Sequence, residues 1–269
     1  MLNIGDIMSD KVILVVSFGT SYNNNRSLTI GAIEKDIESK FSDYDVRRAF
    51  TSQMVINILK KRDGLEIDNV KEALERAIND GVKSIIIQPT HIMDGTEYHY
   101  KILDELEDFK DKFDSLVVGN PLLITDDDFE DLISSITKDD CSSDETAICF
   151  MGHGTPAKSN IVYTKLQDKL HEKGFNHYYI GTVEAEPTFD DVLAMIKKGN
   201  YKNIILKPLM VVAGDHAQND MAGDEEDSWK SMFVDNGYNV ECIVEGLAQS
   251  QDIRDVYIKH INAAIDDLN

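Results

Sequence analysis

Three potential metal ligands in the C-terminal half of the chain each follow a short apolar run. His153 lies in G-H-G-T-P after residues 147–151, Glu184 lies in G-T-V-E-A-E-P, and His216 lies in A-G-D-H-A-Q-N-D after residues 209–212. Two imidazoles and a carboxylate can bind a borderline divalent metal and leave coordination positions open. We therefore predict a metal site of these three residues, with both histidines also catalytic.

Each of these residues also has a simpler interpretation. His153 can bond to a backbone group at a strand end, with its flanking glycines serving a tight turn. His216 can be a polar residue at a helix N-terminus. Glu184 can be a surface carboxylate, like the nearby Glu186. The functional interpretation is favoured for the two histidines, because glycines allow a ligand to approach closely and because the pattern has a counterpart earlier in the chain. For Glu184 both interpretations stay open.

The chain contains an internal repeat. Residues 84–99 match residues 203–218 at a constant offset of 119, and two shorter stretches, residues 12–20 and 49–53, resemble residues 147–155 and 180–184. A repeat of this size indicates two related supersecondary units. The alignments pair the predicted ligands with residues of the first half: Phe18 with His153, Gln53 with Glu184, and Glu97 with His216.

The order of elements predicts two α/β halves. Apolar runs of strand length alternate with segments of helical periodicity, which is typical of parallel sheets with right-handed crossovers. We place the first lobe at residues 1–138 and the second at 139–269, with a polar linker at 138–145. We also predict one helix over residues 217–234, and a final helix that can pack back on the first lobe.

Composition excludes several functions. The 269 residues carry a formal net charge of −22, which argues against nucleic acid and against an anionic membrane surface. Neither a membrane-spanning apolar stretch nor a secretory signal pattern is present, so a cytoplasmic protein is expected. The three cysteines (Cys141, Cys149 and Cys242) show no C-x-x-C spacing and predict no disulfide framework. No dinucleotide or P-loop motif occurs, so we expect no nucleotide.

Further candidates lie outside the ligand set. Glu97 is predicted to be catalytic because it matches His216, although a carboxylate also suits a helix start. Arg26 is the best-placed cation for an anionic substrate near the first strand end, and His91 follows the strand before Glu97. Both are predicted to bind substrate. The acidic run at residues 224–227 is typical of a solvated helix face; metal delivery is the alternative.

Five motifs, in this order, resemble the class II chelatases, the family of the anaerobic sirohydrochlorin cobaltochelatases and of ferrochelatase: S-F-G-T-S-Y, H-I-M-D-G-T-E-Y, M-G-H-G, G-T-V-E-A-E-P and A-G-D-H-A-Q-N-D-M-A-G-D. The resemblance implies two flavodoxin-like lobes with a tetrapyrrole in the cleft between them. It implies ATP-independent insertion of Co²⁺ into sirohydrochlorin during anaerobic cobalamin synthesis. It also implies that His153, Glu184 and His216 bind the metal and that Glu97 is a cleft residue.

Metal insertion releases two pyrrole N–H protons, which a neutral histidine or a carboxylate can accept. Protons also compete with metal for the imidazoles, so activity should fall at acid pH. Three alternatives remain open: the same fold acting with Fe²⁺ or Ni²⁺ on a related tetrapyrrole, a non-catalytic metal or tetrapyrrole carrier, and an unrelated hydrolase or phosphatase using His153. Whether the chain forms a homo-oligomer is also open.

Overall fold

Two four-stranded sheets, in which every strand pair is parallel, form the framework of the protein. The computed structural model describes residues 10–140 and 144–267. The first sheet has the order β2-β1-β3-β4 and the second the order β6-β5-β7-β8. The strands are β1 (Lys11–Ser17), β2 (Asp45–Phe50), β3 (Ser84–Pro89), β4 (Ser115–Val118), β5 (Thr146–Gly152), β6 (Tyr178–Thr182), β7 (Asn203–Pro208) and β8 (Asn239–Cys242). The predicted α/β class with parallel sheets is confirmed.

Helices follow most strands. The α-helices are α1 (Asn23–Leu28), α2 (Ile30–Lys40), α3 (Gln53–Asp63), α4 (Val70–Asn79), α5 (Thr96–Tyr98), α6 (Asp104–Leu106), α7 (Asp126–Thr137), α8 (Ile161–Glu172), α9 (Phe189–Ile196), α10 (Trp229–Asp235) and α11 (Gln251–Asp266). Short 3₁₀ turns cover Glu107–Lys112, Lys158–Asn160 and Leu247–Gln249, and π-helical turns cover His99–Leu103 and Ala217–Met221. Polar caps start several helices: the Asn69, Thr125 and Thr188 side chains accept from the backbone three residues on.

Apolar sequence explains the central strands. Val12 to Val16 are at most 1 % exposed in β1, and every residue of β5 is buried. Strands covered by helices on both faces must be apolar along their whole length, which is why these runs show no alternation. The edge strands β4 and β8 are shorter and only partly buried. The central strands therefore anchor each sheet, and their carboxyl ends are held in place.

The repeat seen in the sequence is present in the backbone hydrogen bonds. The Thr90 N–H donates to the Val16 carbonyl at 2.8 Å, as the Leu209 N–H donates to the Met151 carbonyl at 2.8 Å. Each half also has a π-helical turn after its third strand, His99–Leu103 in the first and Ala217–Met221 in the second. The strand order is likewise the same in both sheets.

One predicted pairing, Gln53 with Glu184, is wrong by one residue. The Glu184 N–H donates to the His153 carbonyl at 2.9 Å, and the equivalent bond of the first sheet runs from the Ser52 N–H to the Phe18 carbonyl at 3.2 Å. Ser52 is therefore the counterpart of Glu184. The sequence match aligned two threonines, whereas backbone hydrogen bonds set the register of the strands.

The helix predicted over residues 217–234 is interrupted. A π-helical turn ends at Met221, and α10 begins only at Trp229. A Cβ at Gly223 would lie 2.4 Å from the Asn219 carbonyl oxygen, and Ser228 starts a new helix by accepting from the Ser231 N–H. The acidic run at residues 224–227 therefore lies in the connection between two helical segments, not on a helix face.

The chain divides into two compact units, and each unit is built of segments that are not contiguous in the sequence. Among the described residues, one unit comprises 10–21, 30–124 and 254–267, and the other comprises 22–29, 125–140 and 144–253. The predicted boundary lay after Lys138, but the long run of the second unit begins at Thr125. Helix α7 lies in this unit, and its Asp126 pairs with Lys165 of α8 at 2.8 Å.

The C-terminal helix belongs to the first unit from Arg254 onward. The Tyr257 hydroxyl donates to the Thr90 carbonyl at 2.9 Å, and Arg254 pairs with Asp36 at 2.6 Å. Tyr257 is fully buried.

The structure describes two of the three cysteines. Cys149 is buried in β5 and Cys242 is partly buried; both are free thiols. Burial raises the pKa of the Cys149 thiol. Cys141, with part of the predicted linker, lies outside the described residues. None of the described helices is both long and apolar enough to cross a bilayer.

Gln167 of α8 protects the outer edge of β6. Its side chain is buried, accepts from the Ile180 N–H at 2.8 Å and donates to the Tyr178 carbonyl at 2.7 Å. Replacing Gln167 by Met should lower the unfolding free energy of the second unit by about 1–3 kcal/mol, because the buried Ile180 N–H loses its partner. Thermal and denaturant unfolding measure this. The exposed Asp168→Asn on the same helix serves as the control, and an equal loss there would contradict the interpretation.

Candidate metal centre

Three side chains of the second unit converge at the carboxyl edge of its sheet. One ligand atom from each of His153, Glu184 and His216 lies within 4.8 Å of the others. Nε2 of His153 is 3.7 Å from Oε1 of Glu184, and the rings of His153 and His216 meet edge to face with centroids 4.6 Å apart. Their side chains are 47 %, 54 % and 35 % exposed, respectively. The group is therefore compact, open to solvent and chemically able to bind a dication.

His153 is positioned by two glycines whose absent side chains leave room for neighbours. Gly154 has φ +90°, and a Cβ there would lie 2.8 Å from the Ala185 backbone nitrogen. A Cβ at Gly152 would lie 2.3 Å from the ring of the buried Tyr163. The Tyr163 hydroxyl accepts from the Gly154 N–H at 3.2 Å. Larger residues at positions 152 and 154 would therefore collide with Tyr163 and Ala185.

Glu184 lies on a short loop held by its own hydrogen bonds. The Thr182 hydroxyl donates to the Ala185 carbonyl at 2.5 Å, and the Asn160 amide donates to the Glu186 carbonyl at 2.6 Å. The Glu186–Pro187 peptide is cis. Because the Glu184 N–H also bonds to His153, two ligands are linked through one backbone hydrogen bond.

Both imidazoles have Nδ1 engaged by an oxygen. Nδ1 of His153 is 2.9 Å from the Gly154 carbonyl, and Nδ1 of His216 is 2.5 Å from Oδ2 of Asp220. A carbonyl and a carboxylate can only accept, so Nδ1 carries the proton in both rings. In a neutral ring with the proton on Nδ1, Nε2 is the nitrogen that can bind a metal. The spacing of four residues between His216 and Asp220 is the sequence signal for this contact, because residues four apart are neighbours on a helix surface.

The remaining predicted site residues occupy other places. Glu97 lies on α5 of the first unit, half-buried, at the position equivalent to that of His216. Arg26 belongs to the second unit but is only 9 % exposed on α1, which leaves little of its surface for a ligand. The catalytic role of Glu97 and the substrate-binding role of Arg26 remain predictions.

His91 lies in the first unit just after β3. Part of the residue reaches the surface, yet both ring nitrogens are buried and have no hydrogen-bond partner. Burial lowers the pKa of His91 to about 4, so the imidazole is neutral near pH 7. The substrate-binding role of His91 also remains a prediction.

Comparison with known proteins identifies the family. Residues 11–266 match the family model described as Cobalt chelatase (CbiK). The chain belongs to the CbiK cobalt chelatase family. It is 36 % identical over 256 residues to the sirohydrochlorin cobaltochelatase of Salmonella typhimurium, covering 95 % of this chain and 96 % of that protein. It is 30 % identical over 265 residues to the sirohydrochlorin cobaltochelatase CbiKC of Nitratidesulfovibrio vulgaris, covering 97 % and 93 %.

Solved structures share the fold at low sequence identity. A multi-domain protein of Deinococcus radiodurans with structural similarity to chelatases aligns with a TM-score of 0.61 at 9 % identity, over 93 % of this chain and 54 % of that one. CbiX, described as the terminal enzyme of siroheme biosynthesis in denitrifying bacteria, aligns with a TM-score of 0.53 at 12 % identity, over 94 % and 99 %. The predicted chelatase-like fold is confirmed.

Gly154→Ala should weaken Co²⁺ binding in addition to straining the backbone. A positive φ costs alanine about 1–2 kcal/mol, and here the new methyl also meets Ala185. We expect Co²⁺ affinity to fall on the order of tenfold as His153 moves. Gly174→Ala is the matched control, since Gly174 has φ +93° with nothing within 4 Å of its Cβ position. Calorimetric Co²⁺ titration of both variants measures the difference; equal affinities would contradict it.

His91→Met should make the protein less sensitive to acid. The folded-state pKa of about 4 lies below the ordinary 6.5, so below pH 6.5 the unfolded chain binds a proton that the folded chain does not. Stability is therefore lost as the pH falls from 6.5 to 4, by up to about 3 kcal/mol. Methionine, which stands at the equivalent position 210 of the second half, cannot titrate. Unfolding of both proteins at several pH values tests this, and parallel pH profiles would contradict it.

Proposed function

We propose that this protein inserts Co²⁺ into sirohydrochlorin without a nucleotide, with His153, Glu184 and His216 holding the incoming metal. The observation that carries the proposal is that one ligand atom from each of these three side chains lies within 4.8 Å of the others. Family membership and two cobaltochelatase relatives of nearly the same length support Co²⁺ as the metal substrate. Fe²⁺ and Ni²⁺ are the alternative metals, since such ligands bind all three.

The site has the properties that a transfer site needs. Three protein ligands leave coordination positions for pyrrole nitrogens, whereas a closed four-ligand site would retain the metal. The ligands are a third to a half exposed, so a flat macrocycle can approach them. Two histidines and one carboxylate are therefore able to hold Co²⁺ and also to release it.

Protons must move in the opposite direction to the metal. Co²⁺ and the protonated macrocycle give the cobalt complex and two protons, so charge balances when two basic groups take them up. The groups present are two histidine–carboxylate pairs, His153 with Glu184 and His216 with Asp220. We assign proton acceptance to the two Nε2 atoms as the metal leaves them, with His216 as the leading acceptor. Glu97 is proposed as a further catalytic carboxylate.

Replacing His153 or His216 by Ala should lower the insertion rate at least about 100-fold, because each change removes both a ligand and a proton acceptor. His177→Ala is a matched control: this histidine also pairs with an aspartate, Asp140 at 2.9 Å, but precedes β6, at the opposite end of the sheet. The assay follows sirohydrochlorin absorbance under anaerobic conditions with Co²⁺, Fe²⁺ or Ni²⁺. Full activity of both site variants would remove the assignment.

The same assay separates the alternatives. Multiple turnovers that are fastest with Co²⁺ agree with the proposal. A faster reaction with Fe²⁺ or Ni²⁺ would mean that the same site inserts that metal instead. One stoichiometric binding event without turnover, for every metal, would identify a carrier. We place the reaction in the cytoplasm and leave assembly as a homo-oligomer to be measured by sedimentation.

A further inference from the structure

Asp220 makes a close contact with a ligand of the metal centre without being one. Its Oδ2 lies 2.5 Å from Nδ1 of His216, four residues earlier in the same helical turn. The compact ligand group contains Glu184 and the two histidines but not Asp220. Because the carboxylate engages Nδ1, Nε2 is the ring nitrogen of His216 that is left for a metal.

The two histidines differ in what holds their rings. His153 is fixed by the backbone carbonyl of Gly154, which no substitution of a side chain removes. His216 depends on the Asp220 side chain, which is 44 % exposed. Without an acceptor at Nδ1, the ring proton is free to occupy Nε2, where it blocks the lone pair needed for metal. The orientation and tautomer of His216 thus depend on one carboxylate.

The internal repeat gives independent support. The turn of the first half equivalent to that of His216 has Glu97 at the histidine position and Lys101 at the position of Asp220. The first half has no imidazole to orient at this position, and it has a lysine instead of a carboxylate four residues later. The Asp220 carboxylate therefore occurs together with the metal ligand and is not a general requirement of this helical turn.

We propose that Asp220 is a positioning residue that keeps the proton of His216 on Nδ1 and so reserves Nε2 for Co²⁺. The proposal rests on the metal site proposed above. Glu184 supplies a charge directly to the metal, whereas Asp220 supplies the geometry of one ligand. A partner of this kind typically changes metal affinity 10–100-fold when it is removed.

Nitrogen NMR of the metal-free protein reads the tautomer directly. Long-range proton–nitrogen spectra of uniformly ¹⁵N-labelled protein at about pH 8, where histidine is neutral in general, distinguish Nδ1–H from Nε2–H rings. The wild type should show Nδ1–H for both site histidines. In Asp220→Ala, His216 should lose this signature while His153 keeps it, which makes His153 an internal control. The backbone amide spectrum verifies that the fold persists.

Co²⁺ titration of the same samples, without tetrapyrrole, gives the second readout. Asp220→Ala should bind Co²⁺ about 10–100-fold more weakly. Asp215→Ala is the charge-matched control, because Asp215 bonds to Asn219 at 2.9 Å and to Tyr22 at 3.3 Å instead of to the ligand. It should leave both the His216 tautomer and the affinity within about threefold of wild type.

Two results would overturn the proposal: an unchanged His216 tautomer in Asp220→Ala, or an equal loss of affinity in both aspartate variants, which would indicate a charge effect. Neither readout uses turnover. Failure of the positioning role therefore leaves the insertion assay of the wild type and of the histidine variants as a separate test of the proposed function.

Discussion

The parallel register of β5 between β6 and β7 is the constraint on which the metal centre depends. His153 follows β5, Glu184 follows β6, and the segment carrying His216 follows β7. Parallel strands end at the same edge of a sheet, so residues distant in sequence meet there. The backbone bond from Glu184 to His153 ties two of the ligands together. A buried central strand makes this register rigid, because every residue of β5 packs in the core.

The surroundings of the candidate site engage one nitrogen of each histidine. Both Nδ1 atoms are engaged by oxygen, one from the backbone and one from a side chain, and both Nε2 atoms are left as acceptors. The three side chains are a third to a half exposed, which suits the transfer site that we propose better than a buried structural site. An overall charge of −22 favours the approach of a dication.

The two halves show how a duplicated unit acquires different roles. Strand order, strand-end hydrogen bonds and a π-helical turn are common to both. At the equivalent positions the second half has His153, Glu184 and His216, whereas the first has Phe18, Ser52 and Glu97. Backbone geometry is thus retained while the side chains at the strand ends decide whether a metal can bind. Phe18, 47 % exposed, offers no ligand atom.

The sequence by itself determined the fold class, the repeat and the three ligand candidates. Apolar runs alternating with helical periodicity suffice for parallel α/β halves, and glycine-flanked histidines after such runs indicate strand-end sites. It also named Glu97, because the constant offset of the repeat aligns it with His216. Each of these features is a pattern within a short stretch or a match between two short stretches, so the order of residues is enough to reveal it.

Only the tertiary structure decided the features that depend on contacts between distant segments. It replaced Gln53 by Ser52 as the counterpart of Glu184, since backbone hydrogen bonds fix the register. It showed that the helical turn ends at Met221 and that α10 begins at Trp229, with a glycine at position 223, where a Cβ would meet the preceding turn. It assigned residues 22–29 to the second unit, which their position in the chain does not suggest. Ligand distances and imidazole tautomers arise from packing in three dimensions, which residue order does not encode locally.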